Sequence, residues 1–173
     1  MTDRAATTTD GLTAGARPTA LCPVAGVLAG CVAGIAYIAA QASFAATVQA
    51  QDAWAPLQRI SAILLGPNDL PPSDEHSITI AGIGLLIHFG LAAVFGRLLD
   101  VAVRGRTGVA ALLRGALVGL FLYGVNFWVV APVAFPWFDT NRGLVTVVDH
   151  LMFGAVGAFV YVHLRPRHPE WLT

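Results

Sequence analysis

Four long apolar runs, separated by short charged or proline-rich segments, set the pattern of this chain. They cover residues 21–48, 78–100, 109–133 and 143–164. A helix rising about 1.5 Å per residue crosses the roughly 30 Å hydrocarbon core of a bilayer in such a length. Lipid offers backbone N–H and C=O groups no partner, and a helix satisfies them internally. The third run shows this most clearly: after Arg114, charge disappears for about twenty residues, the span length of a helix, and Asn126 is the lone amide before the Phe135-Pro136-Trp137-Phe138 cluster. The pattern predicts an all-α integral membrane four-helix bundle.

The polar segments refine the picture. Residues 1–20 are rich in Thr, Ala and Gly without apolar period, and are expected to be a disordered tail; residues 165–173 form a second tail. Within the acidic first loop, residues 54–66 start near Pro56 and end at Gly66-Pro67, with Leu57, Ile60 and Leu64 at helical spacing. That stretch is too short to cross, so it predicts a short interfacial or re-entrant helix. Pro67, Pro71 and Pro72 then stiffen the return.

Composition agrees: 56% of the 173 residues are hydrophobic, 12% are charged, and the mean hydropathy is +0.69, outside the usual balance of a soluble domain. The formal net charge is zero, so nothing favours nucleic acid as a partner; the lipid bilayer is the expected one. The distribution of charge is more informative. Arg4, Arg17, Arg97, Arg104, Arg106, Arg114, Arg165 and Arg167 fall on one side of the four-span topology, and Arg59 and Arg142 on the other. The asymmetry places both termini in the cytoplasm. Trp54, Trp128 and Trp137 then form an outer aromatic belt. Cys22 and Cys31 lie about 13 Å apart along one helix, too far for a disulfide. No nucleophile–base set, phosphate loop or zinc-protease motif is present, and an enzyme is not expected.

The first and third runs share a pattern at an offset of 85 residues: Gly30, Gly34 and Gln41 match Gly115, Gly119 and Asn126. Each is followed by an outer loop with one arginine, then by a helix holding one internal histidine, His88 or His150. A true repeat makes two parallel helical hairpins related by a pseudo-twofold along the membrane normal; chance similarity among common small residues explains the match equally well. Gly26, Gly30 and Gly34, like Gly115 and Gly119, have the spacing that lets helix backbones approach closely in lipid.

Five polar side chains, His88, His150, Asn126, Gln41 and Asp149, gather at a similar depth, His88 roughly 15 Å and His150 roughly 10 to 12 Å from the outer ends of their helices. Ionisable groups there face the bundle interior and mark candidate sites. Facing histidines on diagonal helices suit the axial ligation of haem b or part of a metal site. A proton relay, a bound quinone or a small solute fits the same residues, as do plain interhelical hydrogen bonds worth about 0.6 kcal/mol each. Asp149 is expected to pair with Arg142 or Arg59 or to meet water, because it and His150 lie about 100° apart around one helix. With a true repeat, Asn126 and Gln41 face one another across the bundle axis.

Together, Trp54 to Gly66 with Leu70-Pro71-Pro72 behind it, His88-Phe89, Tyr123-Gly124-Val125-Asn126-Phe127, Phe135-Pro136-Trp137-Phe138 and His150-Leu151-Met152-Phe153-Gly154 resemble a family of small bacterial four-helix inner-membrane proteins of uncharacterised function. Automated labelling often calls its members sodium:proline symporters, although four spans are too few for one. The resemblance implies the fold, the topology and a bacterial cytoplasmic membrane, without an activity. The leading expectation is a structural or accessory component, packing as a homo-oligomer or within a larger membrane complex through its glycine-lined helices. The alternative is a haem-, metal- or small-solute-binding protein using His88 and His150.

Overall fold

The computed structural model describes residues 21–70 and 77–165; the expected tails over 1–20 and 166–173 and the Pro71-Pro72 return lie outside the described residues. All regular structure among the described residues is helical: α1 Pro23–Thr47, α2 Ala55–Leu65, α3 Ile78–Val103, α4 Gly108–Gly124, α5 Ala131–Ala134 and α6 Leu144–Leu164. A π-helical segment, Val125–Val130, joins α4 to α5, so that Gly108–Ala134 forms one span. α1, α3, α4–α5 and α6 are each long and apolar enough to cross a membrane, which makes this a multi-pass membrane protein.

Local chemistry sets the helix ends. Pro23 and Pro56 occupy the first turns of α1 and α2, where a missing N–H costs nothing. The Ser77 hydroxyl accepts the Ile80 N–H and caps α3. Gly66, at φ 89°, ends α2 in a conformation that a side chain disfavours.

α1 is the middle of the bundle, packed against α3 on one side and α6 on the other; α4 packs on α6, and α2 lies on α3. Lipid supplies no hydrophobic drive between helices, so close van der Waals approach holds them together. Glycine makes that approach possible. A Cβ at Gly30 would fall 2.1 Å from the Ala92 carbonyl oxygen, and one at Gly26 2.9 Å from that of Gly96. Gly34 lies over Ala92 and His88. The second hairpin repeats the arrangement: a Cβ at Gly115 would meet the Gly154 oxygen at 2.3 Å, and one at Gly119 the His150 oxygen at 1.8 Å. The backbone of α2 is pressed equally close, because a Cβ at Gly84 would lie 2.2 Å from the Leu57 oxygen.

At the arginine-rich end, Asp100 has no exposed surface. It accepts the Tyr161 hydroxyl at 2.6 Å and the Cys22 backbone N–H at 3.2 Å, and pairs with Arg97. One carboxylate thereby caps α1 and ties it to α3 and α6.

Candidate functional site

α3 and α4, joined by the short turn 104–107, touch far less than α1 and α6 do. Between them lies a groove of about 350 Å³. Ile87, Leu91 and Phe95 of α3 form one wall, and Leu122, Phe127 and Val130 the other. Ile60 and Ile63 of α2 and Phe135 and Phe138 of the α5–α6 connection close the aromatic end. Leu91 and Val130 are 42% and 39% exposed and form lips turned toward lipid. Apart from His88, His150, Asn126 and the Tyr37 hydroxyl, the lining is apolar.

The two histidines are held by backbone carbonyls. His88 Nε2–H donates to the Gly34 oxygen at 2.9 Å, and His150 Nδ1–H donates to the Thr146 oxygen at 2.8 Å. A carbonyl only accepts, so each bond fixes the tautomer of a neutral imidazole. His88 Nδ1 and His150 Nε2 are left as acceptors with no partner among the described residues. Both rings are also fixed in orientation. Tyr37 of α1 stands against both, 5.8 Å from His88 and 5.2 Å from His150 between centroids. Tyr123 and Phe127 complete an edge-on aromatic collar around His150, each at 5.7 Å.

Asn126 lines the groove from inside the π segment, and its side-chain amide has no hydrogen-bond partner among the described residues. The π segment has a cause in the sequence. Pro132 lacks an N–H, and its ring would press on the carbonyl four residues before it. The Ala131 N–H therefore reaches back five residues to the Asn126 oxygen. The next carbonyl in that register, Phe127, would need an N–H from Pro132; instead Arg142 Nε donates to it at 2.9 Å. Arg142 also pairs with Asp139 at 2.6 Å and lies 4.7 Å over the Trp128 ring, and the Tyr123 hydroxyl donates to its carbonyl.

Asp149 departs from expectation. Neither Arg142 nor Arg59 pairs with it; its partner is the Gln41 amide, across the α1·α6 seam. Arg142 is already committed to the π segment, and Arg59 donates to Gln51. Gln41 and Asn126 do not face one another either. Gln41 lines a separate cavity of about 50 Å³ with Arg59, Pro56 and Thr146, and Tyr37, Ile60, Phe127 and Phe138 divide it from the groove. The wider π turn carries Asn126 off the line set by Gly115 and Gly119, whereas α1 has no such segment at Gln41. Burial lowers the pKa of the Arg59 guanidinium at the edge of this small cavity.

Of the five expected polar residues, His88, His150 and Asn126 share the groove, while Gln41 and Asp149 form their own pair behind Tyr37. Sequence reasoning missed Tyr37, although its position four residues before Gln41 puts both on one face of α1. It also missed Asp100, whose signal was an acid set among Arg97, Arg104 and Arg106. Among the described residues no three of His, Cys, Asp and Glu come close enough to hold a metal ion. Comparison with protein-family models, curated proteins and solved structures finds no match to this chain.

Proposed function

We propose that the chain binds a lipid-soluble amphiphile, taken in sideways from the bilayer between α3 and α4. The observation that carries this reading is the set of polar atoms in the groove. His88, His150 and Asn126 line an otherwise apolar groove, and His88 Nδ1, His150 Nε2 and the Asn126 amide have no partners among the described residues. Polar groups facing hydrocarbon are costly unless something satisfies them, and a few convergent polar groups in an apolar pocket are the usual mark of a ligand site. A polar head on an apolar tail fits both parts. Bis-histidine haem fits less well, because Tyr37 fills the space between the two rings and His88 commits its Nε2 to Gly34. The glycine stripes support an accessory role poorly, since Gly26, Gly30, Gly115 and Gly119 are consumed within the hairpins.

The placement we propose is a bacterial cytoplasmic membrane with both termini inside, as the arginine asymmetry and the family resemblance imply, and α2 lying at the outer interface. The pseudo-twofold belongs to the same proposal. Gly30 and Gly34 meet Ala92 and His88 much as Gly115 and Gly119 meet Gly154 and His150, offsets of 85 in the first helix and 62 in the second.

Photolabelling tests the groove. Protein in phosphatidylcholine nanodiscs, irradiated with a diazirine-bearing long-chain alcohol, is expected to be labelled mainly on peptides lining the groove. Leu91→Trp and Val130→Trp, which crowd its lips, should remove that labelling. Labelling spread evenly over the lipid-facing helices, and unchanged in both variants, would overturn the reading.

A further inference from the structure

We infer that the ligand head is a ring carrying hydroxyl donors, of the hydroquinone class, and that the site prefers it to the corresponding quinone; this rests on the groove reading above. The selectivity comes from the tautomers. The Gly34 carbonyl takes the His88 Nε2–H at 2.9 Å and the Thr146 carbonyl takes the His150 Nδ1–H at 2.8 Å. Neither neutral imidazole then has a proton left to give, and each offers the groove one acceptor nitrogen. A quinone brings only acceptors, which the Asn126 amide and the Tyr37 hydroxyl can meet but neither histidine nitrogen can. A hydroquinone brings an O–H for a nitrogen.

Asn126 supplies the complement. Its amide has two donors and one acceptor, all without partners among the described residues, so it accommodates the lone pairs of a hydroxyl oxygen as readily as a second O–H. The walls favour a flat ring over an alkyl head, because Phe95, Phe127 and Phe153 line the groove beside the histidines with aromatic faces and edges. The volume of about 350 Å³ holds a single substituted ring and the start of a tail, and the opening between the lips lets the remaining tail continue into lipid.

Competition against the photolabel tests this separately from the groove itself. Decyl-hydroquinone, decyl-benzoquinone and the dimethyl ether of the hydroquinone would each be titrated under argon against the diazirine alcohol in the same nanodiscs. The hydroquinone is expected to compete roughly ten- to a hundredfold better than the other two, since an unmatched buried acceptor is the costly outcome. In His88→Phe and His150→Phe that ratio should fall toward one. His88→Gln should keep it, because its amide nitrogen can donate to Gly34 while its oxygen accepts. Equal competition by all three compounds, or preference for the quinone, overturns this inference and leaves the groove standing. A groove that takes up no photolabel overturns both. The wild-type ratios decide the matter even where a variant fails to fold.

Discussion

The residues that decide this structure are small ones in contact with backbone. A Cβ at Gly119 would sit 1.8 Å from the His150 carbonyl oxygen, a contact that no rotamer change relieves. Gly119→Ala should therefore force α4 off α6 and destabilise the protein by about 1–3 kcal/mol, as overpacking commonly does. Gly90 has nothing within 4 Å of the same test atom; Gly90→Ala should be neutral, or stabilising by up to about 1 kcal/mol through helix propensity. Unfolding in mixed dodecyl maltoside and sodium dodecyl sulfate micelles separates the two, and equal losses would refute the packing argument. At the arginine-rich end, Asp100 accepts from both Tyr161 and the Cys22 N–H. Asp100→Asn and Tyr161→Phe should couple by about 0.5–3 kcal/mol in a double-mutant cycle, the range for residues sharing one network. Strict additivity would show that the 2.6 Å contact between them carries no stability.

At the scale of elements, the π segment explains why the sequence could be read only in part. Four apolar runs identify four spans, because hydropathy and length are properties of each helix alone. The site needs more: which helices touch, and which way each side chain turns. Gln41 and Asn126 occupy matching places in the repeat, yet they line different cavities, because Pro132 widens the turn that carries Asn126. That proline was visible in the sequence, but its effect runs through the Phe127 carbonyl to Arg142, ten residues beyond Pro132. Arg142 was consequently unavailable to Asp149. Pro132→Ala restores an N–H that lets the helix return to ordinary α register. The expected result is α-helical Cα shifts over residues 125–130, new amide protection at position 132, and weaker groove labelling as Asn126 turns away. Persistence of the π pattern in the variant would place its cause elsewhere.

Across the whole molecule, the two seams that a pseudo-twofold would relate are unlike. α1 and α6 close tightly, with Gly157 of α6 over Ala33 of α1 and beneath Leu99 of α3. Shifted by the two repeat offsets, the positions of Gly157 and Ala33 become Phe95 and Val118 at the α3·α4 seam. Phe95 is bulky and lines the groove between α3 and α4, its ring edge-on to Phe153 of α6 at 6.3 Å between centroids, so a large side chain stands where α6 presents only a glycine to α1. The groove thus occupies the place where a symmetric bundle would have a second closed seam. This asymmetry was invisible to a search for similarity, since the repeat was recognised from shared glycines and the groove depends on where glycine is missing. Phe95→Gly should let the two helices move together by about 2 Å, within the range over which small residues shorten interaxial distance. Electron paramagnetic resonance between spin labels at Val94 and Leu117, which are both exposed to lipid, reads that distance directly. A shortened distance with loss of photolabelling supports Phe95 as the wedge that keeps the site open. An unchanged distance would mean that the groove is held by α2 and the Phe135–Phe138 turn, which close its aromatic end.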